Sequence, residues 1–478
     1  MDHVAKSAAL ISIGCRTNQE EVSALAAELR AKGFSVVDNY VDADIIIVNT
    51  CSVTSLTESK AGRLIRSLSR EAPNARILVT GCFAQQHGEA VLKYPGVEWV
   101  VGNGGKHKIP SIIADSPGGA YLSGIDNNEV FSRGGSILGP NESGRTRFSL
   151  KIQEGCDFRC AYCIVPSLRG PSRSAPAGQL VDTFKRAVDM GYREIVLTGT
   201  HIGQYNGIDQ FSNINHANDI NQSGGINTVI NINHPGDKNH SVNLESLLNQ
   251  FLKVSGDYRI RLSSLDPRDL TDSLIALAGG GDRVCAHLHV SVQSLSAGVL
   301  SLMNRPYAGL DLLIERLRGF RERYPRAGLG ADFIVGHPGE TDAMFEETLR
   351  AVEMIGFTYG HVFRYSKRRG TAAAAMPGQA AEPVKKSRSG ALRGLLKKNR
   401  KKFLSLLFAS PLCIIVESEN PARGVSGNYI RVEVPGIRAR RGAWARVALT
   451  GGARGDVCLA EEFTGVVSGP GGCSGRGF

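Results

Sequence analysis

The chain has 478 residues and a formal net charge of +11, so it is too long for one hydrophobic core and suggests about three domains. It contains no run of about 18 apolar residues, which excludes a simple transmembrane helix, and its first residues do not resemble a signal peptide. We therefore expect a cytoplasmic protein that does not enter the membrane, whose ten cysteines serve metal or redox chemistry.

Residues 1–110 alternate apolar strands with amphipathic helices. The strand-like segments are AALISIG, FSVVD, ADIIIVNT, ARILVTG and VEWVVG, and helical segments such as EVSALAAELRAKG lie between them. This repetition predicts a parallel α/β sheet.

Three cysteines of this region, Cys15, Cys51 and Cys82, each follow the predicted end of a strand. The carboxyl ends of parallel strands meet at one edge of a sheet, where such folds bind ligands. A single buried cysteine there would be ordinary core. Three at the same edge predict an iron-sulfur site with three cysteine ligands.

Residues 111–144 are rich in Gly, Ser and Asn and are predicted to be a linker. Residues 145–384 then give six predicted strands separated by helices, the pattern of a partial (βα)6 barrel whose chemistry lies at the carboxyl ends of its strands. An Asn-rich, low-complexity insertion at 207–242 interrupts this pattern after the second strand.

The loop after the first of these strands contains Cys156, Cys160 and Cys163 in the string EGCDFRCAYC. A 4Fe-4S cluster normally takes four thiolates. Three thiolates leave one iron able to bind a small molecule. A structural zinc site would need a second C-x2-C pair, and three is an odd number for disulfides.

Residues 385–404 are predicted to form a basic linker helix, because nine Lys and Arg residues and no acid lie between Lys385 and Lys402. This segment indicates a polyanionic partner. A solvated helix with one basic face is the alternative.

Residues 405–478 contain short β-rich runs broken by Gly and Asn, which predict a small antiparallel β-barrel. Two interpretations of its aromatic residues stay open, RNA contact or packing within the barrel. The residues concerned, with the arginines near them, are Tyr429, Trp444, Arg438, Arg440, Arg441 and Arg446.

Several motifs are specific enough to compare with known families: SIGCRTNQEE, VNTCSVT, LVTGCFAQ, EGCDFRCAYCIVPSLRG, SVQS with MNRPY, and DFIVGHPGE. They resemble those of the methylthiotransferases, which are radical S-adenosylmethionine (SAM) enzymes. The resemblance covers nearly the whole chain apart from the insertion. It implies an N-terminal cluster domain, a radical-SAM barrel and a C-terminal TRAM barrel that binds RNA. The RLSSLDP and YSKRRGTAAAAMPGQ segments are most similar to the branch acting on N6-threonylcarbamoyladenosine beside the tRNA anticodon, at position 37.

This resemblance also implies the cofactors. Cys156, Cys160 and Cys163 would hold the 4Fe-4S cluster that cleaves SAM, and the first three cysteines would hold an auxiliary 4Fe-4S cluster that handles sulfur. SAM would contact strand-end residues of the barrel, namely Gly199, Thr200, Gln293 and Gly336. A radical made from SAM would activate C2 of the adenine, and a methylthio group, with its methyl from a second SAM, would be transferred there. No protein side chain beyond the cluster ligands is expected to be catalytic.

The expected partners are tRNA and an external low-potential electron donor, and a monomer is expected. Two sister substrates stay open, isopentenyladenosine in tRNA and an aspartate of a ribosomal protein. A non-catalytic iron-sulfur protein that binds RNA or carries electrons is the third alternative. A pure carrier, however, would be expected to complete its cluster with four cysteines.

Overall fold

The computed structural model describes residues 6–14, 16–52, 54–125, 137, 139–140, 145–208, 241–280, 283–305, 309–408, 411–436 and 438–462. No helix within these ranges is long and apolar enough to cross a membrane. Cys15, positions 209–240 of the Asn-rich insertion and most of 126–144 lie outside the described residues.

The N-terminal domain is built on a six-stranded parallel sheet with strand order β2-β1-β3-β4-β5-β6. All six residues of the central strand β3 are buried, as expected when helices cover both faces of a parallel sheet. The parallel α/β prediction is confirmed. The elements are β1 Ser7–Ser12, α1 Arg16–Ala31, β2 Ser35–Val37, β3 Ile45–Thr50, α2 Ser55–Glu71, β4 Arg76–Gly81, α3 Cys82–His87, β5 Val97–Val101, α4 Ile109–Asp115 and β6 Gly119–Tyr121.

This domain extends further than its sequence suggested. The helix α4 and the strand β6 lie partly or wholly beyond residue 110, in the stretch predicted as linker, and β6 pairs with β5. A three-residue strand within a Gly- and Ser-rich stretch has too short a pattern to be distinguished from a loop.

The second domain begins at β7 and ends with a long helix, α13. Its elements are β7 Arg147–Lys151, β8 Gln153–Glu154, α5 Val165–Arg169, β9 Arg173–Ser174, α6 Ala177–Asp189, β10 Glu194–Thr198, β11 Asn206–Ile208, β12 Ser241–Asn243, α7 Leu244–Leu252, β13 Arg259–Leu262, α8 Asp272–Gly280, β14 His287–Gln293, α9 Ala297–Leu302, α10 Leu310–Arg323, β15 Gly328–Val335, α11 Asp342–Ile355, β16 Tyr359–Arg364, α12 Ala372–Ala375 and α13 Glu382–Ser405.

Six parallel strands of this domain form the predicted partial barrel. They occur as two three-stranded sheets, β13-β10-β7 and β14-β15-β16, which parallel bridges at Ile260–Val284 and Leu265–Val290 join. Within the described residues β7 and β16 are not paired with each other. The barrel is therefore open on one side, between these two edge strands.

The basic helix α13 belongs to the barrel and is not a linker. Its side chains Leu392, Leu396 and Phe403 are buried, and Arg388 donates hydrogen bonds to Glu340 and Asp342, each at 2.7 Å. The predicted helix is present, but its apolar stripe covers β16 and α11, as the sixth helix of a (βα)6 unit must.

The C-terminal domain is a closed five-stranded barrel with strand order β17-β18-β19-β21-β20. All pairs are antiparallel except β19 with β21, which is parallel. The small barrel predicted for this region is confirmed, with one parallel pair added. Its strands are β17 Leu412–Glu419, β18 Ala422–Ser426, β19 Arg431–Val434, β20 Trp444–Arg454 and β21 Val457–Glu462.

This small barrel closes the amino-terminal mouth of the larger one. Arg259, the first residue of β13, donates to the Val425 carbonyl at 2.7 Å, and Arg261 donates to the Ser426 carbonyl at 2.9 Å. Both guanidinium groups also bind Glu194, the first residue of β10, at 2.7 Å. Burial opposes ionisation of Glu194, but Arg261 and Arg259 hold the pKa of its carboxyl well below the usual range.

Tyr429 and Trp444 lie in this interface rather than on an open surface. Trp444 is 1% exposed, its indole N–H donates to Asp257 at 2.9 Å, and the Arg259 guanidinium lies over its ring. The Tyr429 ring packs beside His287 with centroids 4.8 Å apart. Both residues therefore help to dock one domain on the other, and Trp444 has almost no exposed surface to offer to RNA.

Candidate functional site

The loop that carries Cys156, Cys160 and Cys163 is fixed at its start by a glycine. Gly155 has a φ of +77°, and a Cβ there would lie 1.8 Å from the carbonyl oxygen of Pro171. Only glycine allows this close approach. The Cys156 amide then donates to the Gly170 carbonyl at 3.1 Å, so the first thiol is held against the end of the same loop.

The three thiols gather at the carboxyl end of the barrel strands. Cys160 is buried, Cys156 and Cys163 are partly buried, and the Cys163 amide donates to the Cys160 carbonyl at 3.0 Å. Burial, with a smaller contribution from the charges of Cys160 and Cys156, raises the pKa of the Cys163 thiol to about 12. Binding of metal there must displace a proton, since only the thiolate is a ligand.

Arg305 holds the middle cysteine. Its guanidinium donates to Cys160 Sγ at 3.5 Å, to Asp266 at 2.7 Å and to the Ser291 carbonyl at 2.8 Å. The cluster loop also receives a backbone bond, from the Ala161 amide to the Met303 carbonyl at 2.8 Å. A buried positive charge therefore faces a sulfur that would carry negative charge as a thiolate.

His201 contacts the first cysteine. Its Nδ1 lies 3.6 Å from Cys156 Sγ and its Nε2 lies 2.5 Å from Asp269. Burial alone would lower the pKa of His201, but its hydrogen bonds to Asp269 and Cys156 raise that pKa to about 9. Two cationic side chains, Arg305 and His201, thus lie against two of the three thiols.

In the N-terminal domain, β1, β3 and β4 are adjacent, and a cysteine follows each of them. Thr50 pairs with Gly81 at the end of β3 and β4, so the next residues, Cys51 and Cys82, leave neighbouring strands at the same level. Gly14 lies against Cys51, because a Cβ on it would come within 2.3 Å of Cys51 Cβ. The predicted convergence is present for Cys51 and Cys82, whereas Cys15 is outside the described residues.

Two asparagines form hydrogen bonds at this edge of the sheet. Asn18 donates to the Ile13 carbonyl at 3.1 Å and to the Thr50 carbonyl at 2.9 Å, which are the backbone positions just before the first two cysteine turns. Asn103 approaches Cys82 Sγ at 3.9 Å and donates to the Leu168 carbonyl at 2.8 Å. Leu168 lies in α5, the helix that follows Cys163, so Asn103 connects the N-terminal edge to the segment directly after the barrel cysteines.

Arg169 makes the main link between the two edges. This buried side chain donates to Asn18 at 2.9 Å and Glu21 at 2.8 Å in the N-terminal domain, and to Glu154 at 2.5 Å in the barrel. Lys151 bridges the same two carboxylates at 3.0 and 2.8 Å. Burial opposes ionisation of Glu21, but Arg169 and neighbouring lysines hold its pKa well below the usual range.

The four predicted SAM contacts all lie at the carboxyl ends of barrel strands. Gly199 and Thr200 follow β10, and a Cβ on Gly199 would meet the Gln153 carbonyl at 2.7 Å. Gln293 ends β14 at an irregularity in the strand pairing and has a φ of 64°, which is rare for a residue other than glycine and is typical of functional sites. Gly336 lies beneath the Lys385 side chain, so it is the most covered of the four.

Arg305 and His201 were not identified from the sequence. Arg305 lies within the MNRPY motif and His201 directly after Thr200, so both were near recognised segments. A lone Arg or His has no spacing pattern, and only the fold brings each one to a cysteine.

The described residues at both edges are of the type that the predicted groups need. The barrel loop offers three thiols on one short segment, two of them beside cationic groups suited to an anionic cluster. The N-terminal edge offers Cys51 and Cys82 on neighbouring turns. At each edge, a glycine lies beside the cysteines, Gly14 in the N-terminal domain and Gly155 in the barrel loop. The backbone is too crowded at both positions for a side chain.

Comparison with family models gives two matches. Residues 7–102 match the model described as "Uncharacterized protein family UPF0004", and residues 150–352 match the radical SAM superfamily. These ranges are the N-terminal sheet domain and the barrel.

Curated relatives match over most of their length. The threonylcarbamoyladenosine tRNA methylthiotransferase MtaB of Bacillus subtilis (strain 168) is 32% identical over 92% of each chain. The protein of the same name from Thermotoga maritima is 34% identical over 81% of each. The tRNA-2-methylthio-N(6)-dimethylallyladenosine synthase of Clostridium novyi (strain NT) is 33% identical over 78% of this chain and 77% of its own.

Among solved structures, the radical SAM methyltransferase TsrM from Kitasatospora setae superposes with a TM-score of 0.51 at 14% identity, over 75% of this chain and 73% of its own. At this identity the likeness concerns the fold alone.

Proposed function

The chain belongs to the methylthiotransferase family of radical SAM enzymes, and from this membership we propose that it inserts a methylthio group at C2 of N6-threonylcarbamoyladenosine beside the tRNA anticodon. SAM would serve both as the radical source and as the methyl donor. We further propose an auxiliary cluster on Cys15, Cys51 and Cys82 and a SAM-cleaving cluster on Cys156, Cys160 and Cys163.

The observation that carries this proposal is the contact between the two cysteine edges. Asn103 contacts both Cys82 and the helix after Cys163, and Arg169 binds residues of both domains. A reaction that activates a carbon at one cofactor and delivers sulfur from another needs the two cofactors to face one substrate. An electron carrier or a simple RNA-binding protein has no such requirement.

When bound, the two clusters and SAM supply the radical and sulfur chemistry, which protein acids and bases cannot provide for an aromatic C–H. The chain's own residues position these groups. Arg305 and His201 orient and electrostatically balance the thiolates of the barrel loop. The buried pairs of Arg169 with Glu21 and Glu154 keep the N-terminal domain seated over the mouth of the barrel.

The choice of base rests on the relatives. The Bacillus and Thermotoga proteins carry the threonylcarbamoyladenosine name, and the first is similar over 92% of this chain. The dimethylallyladenosine enzyme is similar over 78% and supplies the second candidate substrate.

Nucleoside mass spectrometry of tRNA from cells with and without the gene tests the substrate. We expect the methylthio form of threonylcarbamoyladenosine to disappear and the unmethylthiolated nucleoside to accumulate in its place. Restoring the gene should return the modification. Loss of the methylthio form of isopentenyladenosine instead would assign the second substrate, and unchanged tRNA would reject the tRNA proposal.

The helix α13 supplies a surface suited to the tRNA backbone. Lys385 and Arg388 are buried, but six of its nine basic residues are exposed, and we call them the basic face. They are Lys386, Arg393, Lys397, Lys398, Lys401 and Lys402.

Replacing Lys397, Lys401 and Lys402 by Gln is expected to weaken tRNA binding, because each lysine that contacts a phosphate releases a counterion. The slope of log affinity against log salt should fall by about 2 to 3. Titration of tRNA at several salt concentrations measures both quantities. The matched control neutralises three exposed arginines of α10, Arg316, Arg318 and Arg323. Equal slopes for the two triple variants would remove the basic face from the RNA-binding surface.

A further inference from the structure

A cluster of ligand-type side chains lies in the barrel, away from both cysteine sets. His289, Asp332 and His361 come from the adjacent strands β14, β15 and β16. Asp332 and His361 are paired in register. Side chains alternate along a strand, and the neighbouring residues Leu288 and Ala331 are in the core beneath the helices. The three polar side chains therefore face the interior of the barrel.

The ligand atoms of these residues converge. One nitrogen or oxygen from each lies within 4.8 Å of the others. His289 Nε2 is 3.1 Å from Asp332 Oδ1, and His361 Nδ1 is 2.9 Å from the same oxygen. Ligands on a tetrahedral ion with bonds of about 2.0 Å are about 3.3 Å apart, so these spacings fit a shared cation.

His289 provides a second observation. Its side chain is 6% exposed, and its Nε2 approaches Asp332 Oδ1 at 3.1 Å without the alignment of a well-formed hydrogen bond. A contact this close but poorly aligned leaves a buried nitrogen incompletely satisfied. Loss of its proton to an ion placed between the three side chains would convert this nitrogen into a ligand.

The other nitrogen of His289 is held as metal-ligating histidines usually are. The hydroxyl oxygen of Tyr359 lies 2.7 Å from His289 Nδ1 and also 2.7 Å from His287 Nε2. Gly330 makes room for this ring, because a Cβ on it would lie 2.1 Å from the Tyr359 ring. Such hydrogen bonds to the second ring nitrogen fix the tautomer and orientation of a ligand.

We propose that His289, Asp332 and His361 form a binding site for a divalent transition-metal ion of the Zn²⁺ type, separate from the two iron-sulfur sites. Two imidazoles and one carboxylate are a ligand set that Zn²⁺ and related ions use with one position left open. His361 is 54% exposed and lies on the edge strand β16, so the open position would be accessible to solvent on the side of this residue. The ion ties the three strands of this half-barrel together.

The site lies below the predicted SAM contacts. His289 is four residues before Gln293 and Asp332 is four before Gly336, which places the ion about 13 Å from that edge at the usual rise per strand residue. This inference does not depend on the identity of the modified nucleoside.

Zinc loading of the full-length, cluster-reconstituted protein tests the site. After removal of loosely bound metal, we expect about one Zn²⁺ per chain, with a first shell of nitrogen and oxygen at about 2.0–2.2 Å in X-ray absorption. His361→Gln should weaken Zn²⁺ binding at least tenfold, and since the side chain is half-exposed the variant should fold. The thermal unfolding midpoint should rise with Zn²⁺ for the wild type and not for this variant.

The matched control is His107→Gln, which removes an exposed histidine of the N-terminal domain and should leave zinc content unchanged. Zinc with sulfur at about 2.3 Å in its first shell would place the ion on cysteines. That result, equal zinc in the His361 variant, or no retained zinc in the wild type would each overturn the proposal and leave the three side chains as two ion pairs that share Asp332.

Discussion

Cys160→Ala is expected to abolish both 5′-deoxyadenosine and the methylthiolated nucleoside, whereas Cys51→Ala should abolish only the second product. The two residues lie at different edges, one in the barrel loop beside Arg305 and one at the end of β3. Each substitution removes one of three thiolates from a proposed cluster, and each should cost about four irons per chain. Anaerobic incubation with SAM and a strong reductant, followed by chromatography and mass spectrometry, measures both products.

A third alanine variant separates the loss of a ligand from the loss of any buried thiol. Cys285 is also buried in the barrel domain but has no ligand spacing, so Cys285→Ala should retain both products and all of its iron. If Cys51→Ala still makes the methylthiolated nucleoside, the auxiliary site is wrong. If Cys160→Ala still makes 5′-deoxyadenosine, the assignment of the barrel cluster is wrong.

Glu194→Gln is expected to destabilise the docking of the small barrel by about 3–5 kcal/mol, the usual cost of removing one partner from a buried ion pair. Glu194 and Arg261 are both 0% exposed, so Arg261 would keep its charge in the interface without compensation. Because the pKa of Glu194 is depressed on folding, its contribution is complete above about pH 4.3 and declines as the pH falls. The wild type should therefore lose stability on acidification more steeply than the variant.

Thermal unfolding and limited proteolysis at the domain junction measure this effect. Glu417→Gln is the matched control, because it removes an ion pair with Arg147 at the same interface, where both partners are about one-third exposed. Such partly exposed pairs contribute about 0–1 kcal/mol. Equal unfolding midpoints and equal cleavage rates for the two variants would show that the buried pair does not hold the domains together.

Much of the architecture could be predicted because its signals are local. Strands and helices are identified from patterns of period 2 and period 3.6, and each such pattern is formed by residues close together in the sequence. Strands that alternate with helices imply a parallel sheet. The same logic places Cys51 and Cys82 together, since residues that follow parallel strands meet at one edge.

The contacts between domains and between distant elements could not be predicted, because they depend on which surfaces pack together in the folded chain. Trp444 and Tyr429 are amphipathic aromatics that suit a solvated or a buried interface equally well, and only the docked structure shows that both contact the larger barrel. In the sequence, Arg388 is one of several cations in a basic segment. Only the structure shows that it is buried and paired with Glu340 and Asp342, which lie elsewhere in the chain. Long-range pairs of this kind have no signature in a single sequence.

The opening between β7 and β16 determines how a base can reach the two cysteine edges. The small barrel contacts the amino-terminal ends of the barrel strands, and the N-terminal domain contacts the opposite end through two ion pairs, Glu21 with Arg169 and Glu58 with Arg368. Arg169 follows β7 and Arg368 follows β16, so the N-terminal domain is bound to both halves of the open barrel. A base that contacts both cysteine edges would lie between these two domains. Its nucleotide would have to swing out of its stack in the anticodon loop, at a cost of a few kcal/mol that is smallest for a base already in a single-stranded loop.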